Sequence, residues 1–388
     1  MKYAKYILSA FAFMALASCS EEELGPTIFP DVSDDADPSS YTYQFDTWVN
    51  REFRDVYNLE FKYRMEDVEA DMNYNLVPAK YDKARDLCLL SKYLWFDAYK
   101  EHAGVDFLKQ YGPRILHLIG SPAINATTGT EILGLAEGGL KVTLFKVNEM
   151  DVDNINMLNE LYFRTMHHEF GHILHQTKSY PVEFNLLSAG RYDDSSWQSQ
   201  EIGYVNSLGF VTPYSSSQYR EDYAETIANY ITRPQSQLDL IMWMAAKGWS
   251  NGKDEDDKNL DPDAHYYCYY YIPNPEEPEK RTYILYSEEK DSTFRPSLVD
   301  ENGNHYYTVE EVEAYIAKRS EEVPGGLIPV EDKDGVDGAD MILQKQNIVR
   351  NWFTDAWKLD YDAMRKIVLR RQQDFDIQAL RAEIDAVK

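Results

Sequence analysis

His168 and Glu169, followed by His172, form the pattern His-Glu-x-x-His inside Met166-His167-His168-Glu169-Phe170-Gly171-His172-Ile173-Leu174-His175. On an α-helix, residues four apart lie on one face, a turn apart. Two imidazoles so spaced can reach a single metal ion, and zinc is the ion this chemistry suits. Glu169, next to the first imidazole, can lean over the metal's open side and take a proton from water. The chain around the motif has to be helical for this to work. From Asn154 to Gln176 it reads so: Ile155, Leu158, Leu161, Tyr162, Met166, Ile173 and Leu174 recur at spacings of three and four. Gly171 is a poor helix former, and its bare backbone leaves room for another segment to come close. The plain alternative is a buried helix with internally satisfied histidines. Spacing and helix together favour the metal.

Two histidines do not complete a catalytic zinc site; a third ligand is needed, with one position left open. Metzincins place a histidine ten residues after the first, preceded by a glycine. Here those positions hold Lys178 and His175, so that class is excluded. His167 and His175 lie off the His168/His172 stripe, where packing or hydrogen bonds to the ligands suit them better than ligation. A carboxylate on a later helix is the remaining source. Tyr219-Arg220-Glu221-Asp222-Tyr223-Ala224-Glu225-Thr226-Ile227-Ala228 supplies it, with Glu221 and Glu225 on one face and Ala224, Ile227, Ala228 and Ile231 on the apolar side. Carboxylates on a buried face demand a partner, because lone buried charges are expensive. We assign Glu221 as third ligand and Glu225 as the group that orients an imidazole through its free N–H. The reverse assignment, or Asp222 as ligand, stays open on spacing alone.

These two segments resemble gluzincins of the anthrax lethal factor type, which carry a tyrosine upstream of a Glu-(Asp/Phe)-Phe-Ala-Glu run. They are more similar still to the zinc metallohydrolase lipoproteins of Bacteroidetes that accompany SusC/SusD-type import systems. The Phe45-Asp46-Thr47-Trp48 start and the Trp357-Lys358-Leu359-Asp360 ending fit the same family, so the resemblance covers most of 45–248 and 336–388. It implies that Glu221 is the ligand. It also implies that Tyr214, otherwise one of 30 tyrosines, donates its hydroxyl to an oxyanion. In zincins a strand just before the motif helix has an edge open to the substrate backbone; Leu140–Val147 is the segment expected there.

Residues 1–18 read as a leader, with Lys2 and Lys5 ahead of an apolar stretch from Ile7 to Leu16. Leu16-Ala17-Ser18-Cys19 resembles a bacterial lipobox, which implies a lipid on Cys19. The Ser20-Glu21-Glu22-Glu23 run resembles the export signal of surface lipoproteins. The expected location is the outer membrane, facing outwards, with its periplasmic face as the alternative. Residues 19–43 make a flexible tether. The formal charge is −27, and −29 without the two leader lysines. So acidic a body repels nucleic acid. Cys88 and Cys268 lack metal-binding spacing, and two separate buried thiols describe them better than a disulfide.

The expected architecture is α+β: a helix-rich zincin-like domain with a small β-sheet over 44–249, an inserted α+β module over 250–335, and C-terminal helices over 336–388 completing the first domain. Gly138-Gly139 predicts a hairpin between Glu131–Ala136 and Leu140–Val147. His265-Tyr266-Tyr267-Cys268-Tyr269-Tyr270-Tyr271-Ile272 and Arg281–Tyr286 predict paired strands whose tyrosines either pack or form a stacking platform. The function so read is a lipid-anchored, cell-surface zinc metallopeptidase with one zinc per chain. It would act on peptides, proteins or glycoproteins beside SusC/SusD-like transporter components, in nutrient acquisition. The competing reading is a non-catalytic surface binding lipoprotein with a structural zinc site.

Overall fold

The computed structural model describes residues 36–65, 75–124, 131–132, 134–137, 141–251, 267–277, 281–288 and 290–387. The leader, Cys19, most of the tether, the Gly138-Gly139 turn and the Lys253–Asp257 loop lie outside them. The fold is α+β and helix-rich.

The chain starts with Tyr43–Val49, carried through a π-turn at Asn50–Arg54 into Asp55–Tyr57. Phe45, Trp48 and Phe53 of this segment are fully buried. Asn58, at φ 53°, ends the helix. The alternating run Tyr57–Arg64 reads as a strand, but the chain becomes one only at Glu60, as β1 (Glu60–Lys62). A parallel neighbour cannot follow through a short turn. The connection instead contains the helix Tyr81–Leu90, continued by a π-turn at Ser91–Phe96 and then Asp97–Ala103. After it comes β2 (Ile115–Leu118), which pairs with β1 at Phe61↔Leu116. Short strands β3 (Ala123–Ile124) and β4 (Glu131–Ile132) pair with each other. Next come β5 (Gly134–Glu137) and β6 (Lys141–Leu144), antiparallel with Ala136↔Val142, as the predicted hairpin requires.

The sheet order is β1-β2-β6-β5. This corrects one expectation. β6, the core of Leu140–Val147, has a neighbour on both sides, parallel β2 and antiparallel β5. Among the described residues the edge strands are β1 and β5, and β5 is the one next to β6. The returning hairpin consumes the hydrogen-bonding edge that local sequence assigned to β6.

The motif helix Arg164–Thr177 grows out of Ile155–Leu158 through a π-turn at Asn159–Phe163. Asn154 caps the start, its side chain accepting from the Met157 N–H at 3.0 Å. The expected continuous helix thus has one wide turn in it. A second helix, Tyr219–Thr232, packs across the motif helix at Gly171. A Cβ on Gly171 would meet Ile227 Cδ1 at 3.4 Å and the Ala224 backbone at 3.6 Å. Between the two helices lie the short helices Glu183–Leu187 and Ile202–Ser207 and one-turn 3₁₀ segments at Trp197–Ser199 and Tyr214–Ser216.

Residues 268–329 form a second sheet in the order β10-β9-β8-β7-β11, with β7 (Cys268–Ile272), β8 (Thr282–Glu288), β9 (Ser297–Val299), β10 (His305–Tyr306) and β11 (Ile328–Pro329). Helix Val309–Glu322 covers it, opened by a capping box of Thr308 and Glu311. Tyr269 and Tyr270 are buried and pack, while Tyr271 and Tyr283 stay half-exposed beside each other, ring centroids 6.1 Å apart. Their cluster includes Ile202, Trp243 and Ile342 from outside 250–335. Gly203 lets this sheet settle on the body, since a Cβ there would lie 2.2 Å from the Tyr269 hydroxyl. Cys88 and Cys268 are both free and buried.

Helices Gly338–Trp352, Tyr361–Asp374 and Ile377–Asp385 close the first core, contributing Val349, Trp352, Tyr361 and Val368 beside Phe45, Trp95 and Phe170. Lys345 reaches from them to Asp222 at 2.7 Å, a pair with side chains 1% and 0% exposed, and also donates to the Gly209 carbonyl at 2.7 Å. Burial pushes the Asp222 carboxyl up to about 6 even with Lys345 beside it. Removing one member of such a pair strands the other charge. Lys345→Ala is expected to lower unfolding free energy by about 3–5 kcal/mol, read by denaturant unfolding. A loss under 1 kcal/mol would show that Asp222 finds water instead.

Candidate metal centre

On the motif helix, His168 and His172 present their Nε2 atoms side by side, 3.0 Å apart. Glu221, in the first turn of the crossing helix, brings Oε2 to 3.0 Å from the one and 3.1 Å from the other. The outer nitrogens assign the tautomers. His168 Nδ1 faces the Glu225 carboxylate at 2.8 Å and His172 Nδ1 faces His175 Nε2 at 2.9 Å. With both Nδ1 atoms donating outward, each Nε2 carries a lone pair. In that state three acceptor atoms face one another at hydrogen-bond distance, an arrangement that calls for a positive charge, either a proton on His168 or a metal ion. A triangle of this size lets one ion sit about 2.0–2.1 Å from all three corners. Two imidazoles and a carboxylate are a zinc donor set. Among the described residues this is the one such His/Cys/Asp/Glu group.

The electrostatics tell the same story. Burial pulls the His168 pKa down, but the hydrogen bonds to Glu221 and Glu225 outweigh it and hold it up at about 10. A site that keeps a proton on a buried imidazole is one built for positive charge. Glu221 is held well below the usual carboxylate range, burial being overcome by His168 and His172. Glu225 is fully buried and still held down to about 2, chiefly by His168 and then by Arg164 and Thr212. Its second oxygen accepts from Thr212 Oγ1 at 2.7 Å and Asn229 Nδ2 at 3.1 Å. Asn229 in turn accepts from Arg233 Nε at 2.6 Å. These bonds lock His168 from behind.

Asp222 is ruled out as ligand, since it turns away to Lys345 and to the Tyr192 hydroxyl at 2.9 Å. Lys178, where a metzincin has its third histidine, donates to the Ala356 carbonyl at 2.7 Å and lies over the Trp357 ring at 4.2 Å. His167 is a core residue. Burial drives its pKa down to about 3, and Nδ1 pairs with the Tyr99 hydroxyl at 2.9 Å. His175 does more than pack: kept neutral by burial, with its pKa down at about 4, it places Nε2 where it can accept from His172 Nδ1 when His172 offers its other nitrogen to a metal. Sequence offered only its closeness to the motif.

Glu169 sits beside the three ligand atoms with its pKa raised, first by burial; His168 and His172 oppose this and Glu221 and Glu225 add to it. Tyr214 is 37% exposed. Its ring lies along His168 at 5.7 Å. Burial and a hydrogen bond with Glu221 raise its pKa. The structure therefore brings Glu169, Tyr214, His168, His172, Glu221 and Glu225 together. Cys19 lies outside the described residues.

Two measurements test this centre. Because His168 must give up its proton to bind a metal, zinc binding to metal-free protein at pH 7 is expected to release about one proton per chain. Affinity should rise with pH up to about 10, where metal-free His168 loses that proton anyway. Calorimetry in buffers of different ionisation enthalpy reads the proton count, and zero protons would contradict the assignment. Glu221→Ala should lose zinc, and His175→Phe should weaken zinc binding about 10–100-fold, both read by chelator competition.

Comparison with known proteins agrees with this reading. Residues 39–264 match the family model described as "Putative zinc-binding metallo-peptidase". No curated protein matches. A crystal structure titled as a putative zinc-binding metallo-peptidase from Bacteroides caccae is 31% identical, with 89% of this chain and 96% of that chain covered and a TM-score of 0.57. The chain belongs to the family that this model describes, the putative zinc-binding metallo-peptidases.

Proposed function

We propose that this protein is a peptidase that hydrolyses peptide bonds with one zinc per chain, held by His168, His172 and Glu221. The observation that carries the proposal is the convergence of three metal-facing acceptor atoms with a half-buried carboxylate, Glu169, next to them. When bound, zinc acidifies a water molecule and polarises the scissile carbonyl. Glu169 takes the proton from the attacking water, its raised pKa making it the stronger base, and delivers it to the leaving amine. Tyr214, hydroxyl toward Glu221, donates to the oxygen that gains charge on attack. Glu225 and His175 hold the imidazoles in the tautomers the reaction needs. The unpaired edge of β5 is where an extended peptide would add as one more strand.

We further propose that the chain is carried by a lipid on Cys19 at the outer membrane, facing outwards, and serves nutrient acquisition with SusC/SusD-like transporter components. The support is the lipobox-like Leu16-Ala17-Ser18-Cys19 and the acidic run after it. Among the described residues no helix is long and apolar enough to cross a membrane. The alternative of a non-catalytic binding protein loses its main support, because Tyr269 and Tyr270 are packed inside.

Glu169→Ala is the decisive variant. It removes the base and no ligand, so zinc content should stay at one per chain while cleavage of a peptide library falls about 10²–10⁴-fold. A variant that still cleaves at the parent rate would sink the mechanism.

A further inference from the structure

Tyr214 does not hold itself in place. It opens a three-residue 3₁₀ turn, Tyr214–Ser216, and is 37% exposed. Its ring is wedged between two others: His168 at 5.7 Å and 30° on one side, and Trp197 at 4.7 Å and 57° on the other. Trp197 begins its own one-turn segment, Trp197–Ser199. That segment hangs from Asp193, whose carboxylate accepts the N–H groups of Ser195 at 3.1 Å and Ser196 at 3.0 Å. Two further bonds tie it to the tyrosine turn. The Asp193 N–H donates to the Ser216 carbonyl at 2.8 Å, and Ser216 Oγ donates to Gln200 Oε1 at 2.9 Å. Residues 193–200 thus form a strap fastened across the Tyr214 turn, with one aromatic ring pressing on the tyrosine. Trp197 is half-buried and belongs to neither large hydrophobic cluster. The core does not explain a tryptophan there.

We infer that Trp197 is a positioning residue: it holds the Tyr214 ring against His168 so that the hydroxyl stays over the metal centre. This rests on the metallopeptidase reading, in which that hydroxyl meets the developing oxyanion. An aromatic pair of this kind shifts a rotamer equilibrium by roughly two- to tenfold. That is the size of effect expected.

The test is a double-mutant cycle on zinc-loaded protein. The readout is calorimetric affinity for an alanine-flanked phosphinic pseudopeptide, whose tetrahedral phosphinate mimics the attacked carbonyl. Trp197→Ala and Trp197→Leu should each bind it about two- to tenfold more weakly with zinc content unchanged, and Trp197→Phe should recover most of the loss. In a Tyr214→Phe background, Trp197→Leu should weaken binding by less than about twofold, because the hydroxyl it positions is gone. Equal losses in both backgrounds, or no loss in the parent, would overturn the inference and leave the metallopeptidase reading standing. A parent chain that holds zinc but neither binds the phosphinate nor cleaves peptides would overturn that reading, and the inference with it. Trp197→Leu keeps the bulk without the ring, so it answers the question even if Trp197→Ala does not fold.

Discussion

Everything in this protein depends on keeping three hydrogen-bond acceptors face to face at 3.0–3.1 Å without letting them rotate apart. Left alone, His168 and His172 would flip. Each is prevented by a buried partner on its far side. For His168 it is Glu225, itself fixed by Thr212 and Asn229; for His172 it is His175. The chain of donors runs on to Arg233, whose carbonyl accepts from Arg365 Nη1 at 2.6 Å. The ligand geometry is therefore anchored in the C-terminal helices, more than a hundred residues away in sequence. A low-dielectric interior makes such a network costly when incomplete and rigid when complete.

Close helix packing supplies the second half of the constraint. Glu221 can reach both imidazoles only because its helix lies against the motif helix at Gly171, with Ala224 and Ile227 opposite. Aromatic layers fix the two helices from outside. Phe170 packs edge-on against Trp95 and Tyr99. At the far end, Tyr180 stacks on Tyr223 at 3.9 Å and Trp352 meets Tyr223 edge-on. Trp352 also donates to the carbonyls of Lys178 and Ser179, which close the motif helix. A small constellation thus needs a large chain, because every element that sets an angle must itself be packed on two sides.

How much of this was legible in the sequence follows from the range of each interaction. The motif, its helix and the carboxylate helix are local patterns, and period and spacing carry them. Choosing Glu221 over Asp222 took more, since spacing admits both; the buried Lys345 that claims Asp222 lies far along the chain. Tyr214 was visible only through resemblance to a family. Trp197 left no signal, because a tryptophan in an irregular segment looks the same whether it touches the tyrosine beside the metal centre or solvent. The hairpin of β5 and β6 was readable from its turn, but which strand keeps a free edge depends on where β2 pairs, a contact no local pattern encodes. The tyrosine run illustrates the same limit: alternation marks a strand but cannot say whether a second layer covers its face, and here helices from the body do.

If Glu169 is the base proposed above, the charge arrangement lets it act next to a dication. Glu221 and Glu225 are both ionised at neutral pH, and with a metal on both Nε2 atoms and a proton on each Nδ1 the two imidazoles would be neutral. One zinc ion among them brings the centre close to electroneutrality. Glu169 then meets a roughly neutral cluster instead of a bare double positive charge that would hold its proton affinity down. What remains is its burial, which raises the pKa. Had His172 been backed by a third carboxylate in place of neutral His175, the centre would carry excess negative charge and be a weaker Lewis acid. A neutral imidazole in that position fixes the tautomer without adding charge. The base strength of Glu169 and the electrophilicity of the metal are thus set together, by which partners behind the ligands are charged and which are not.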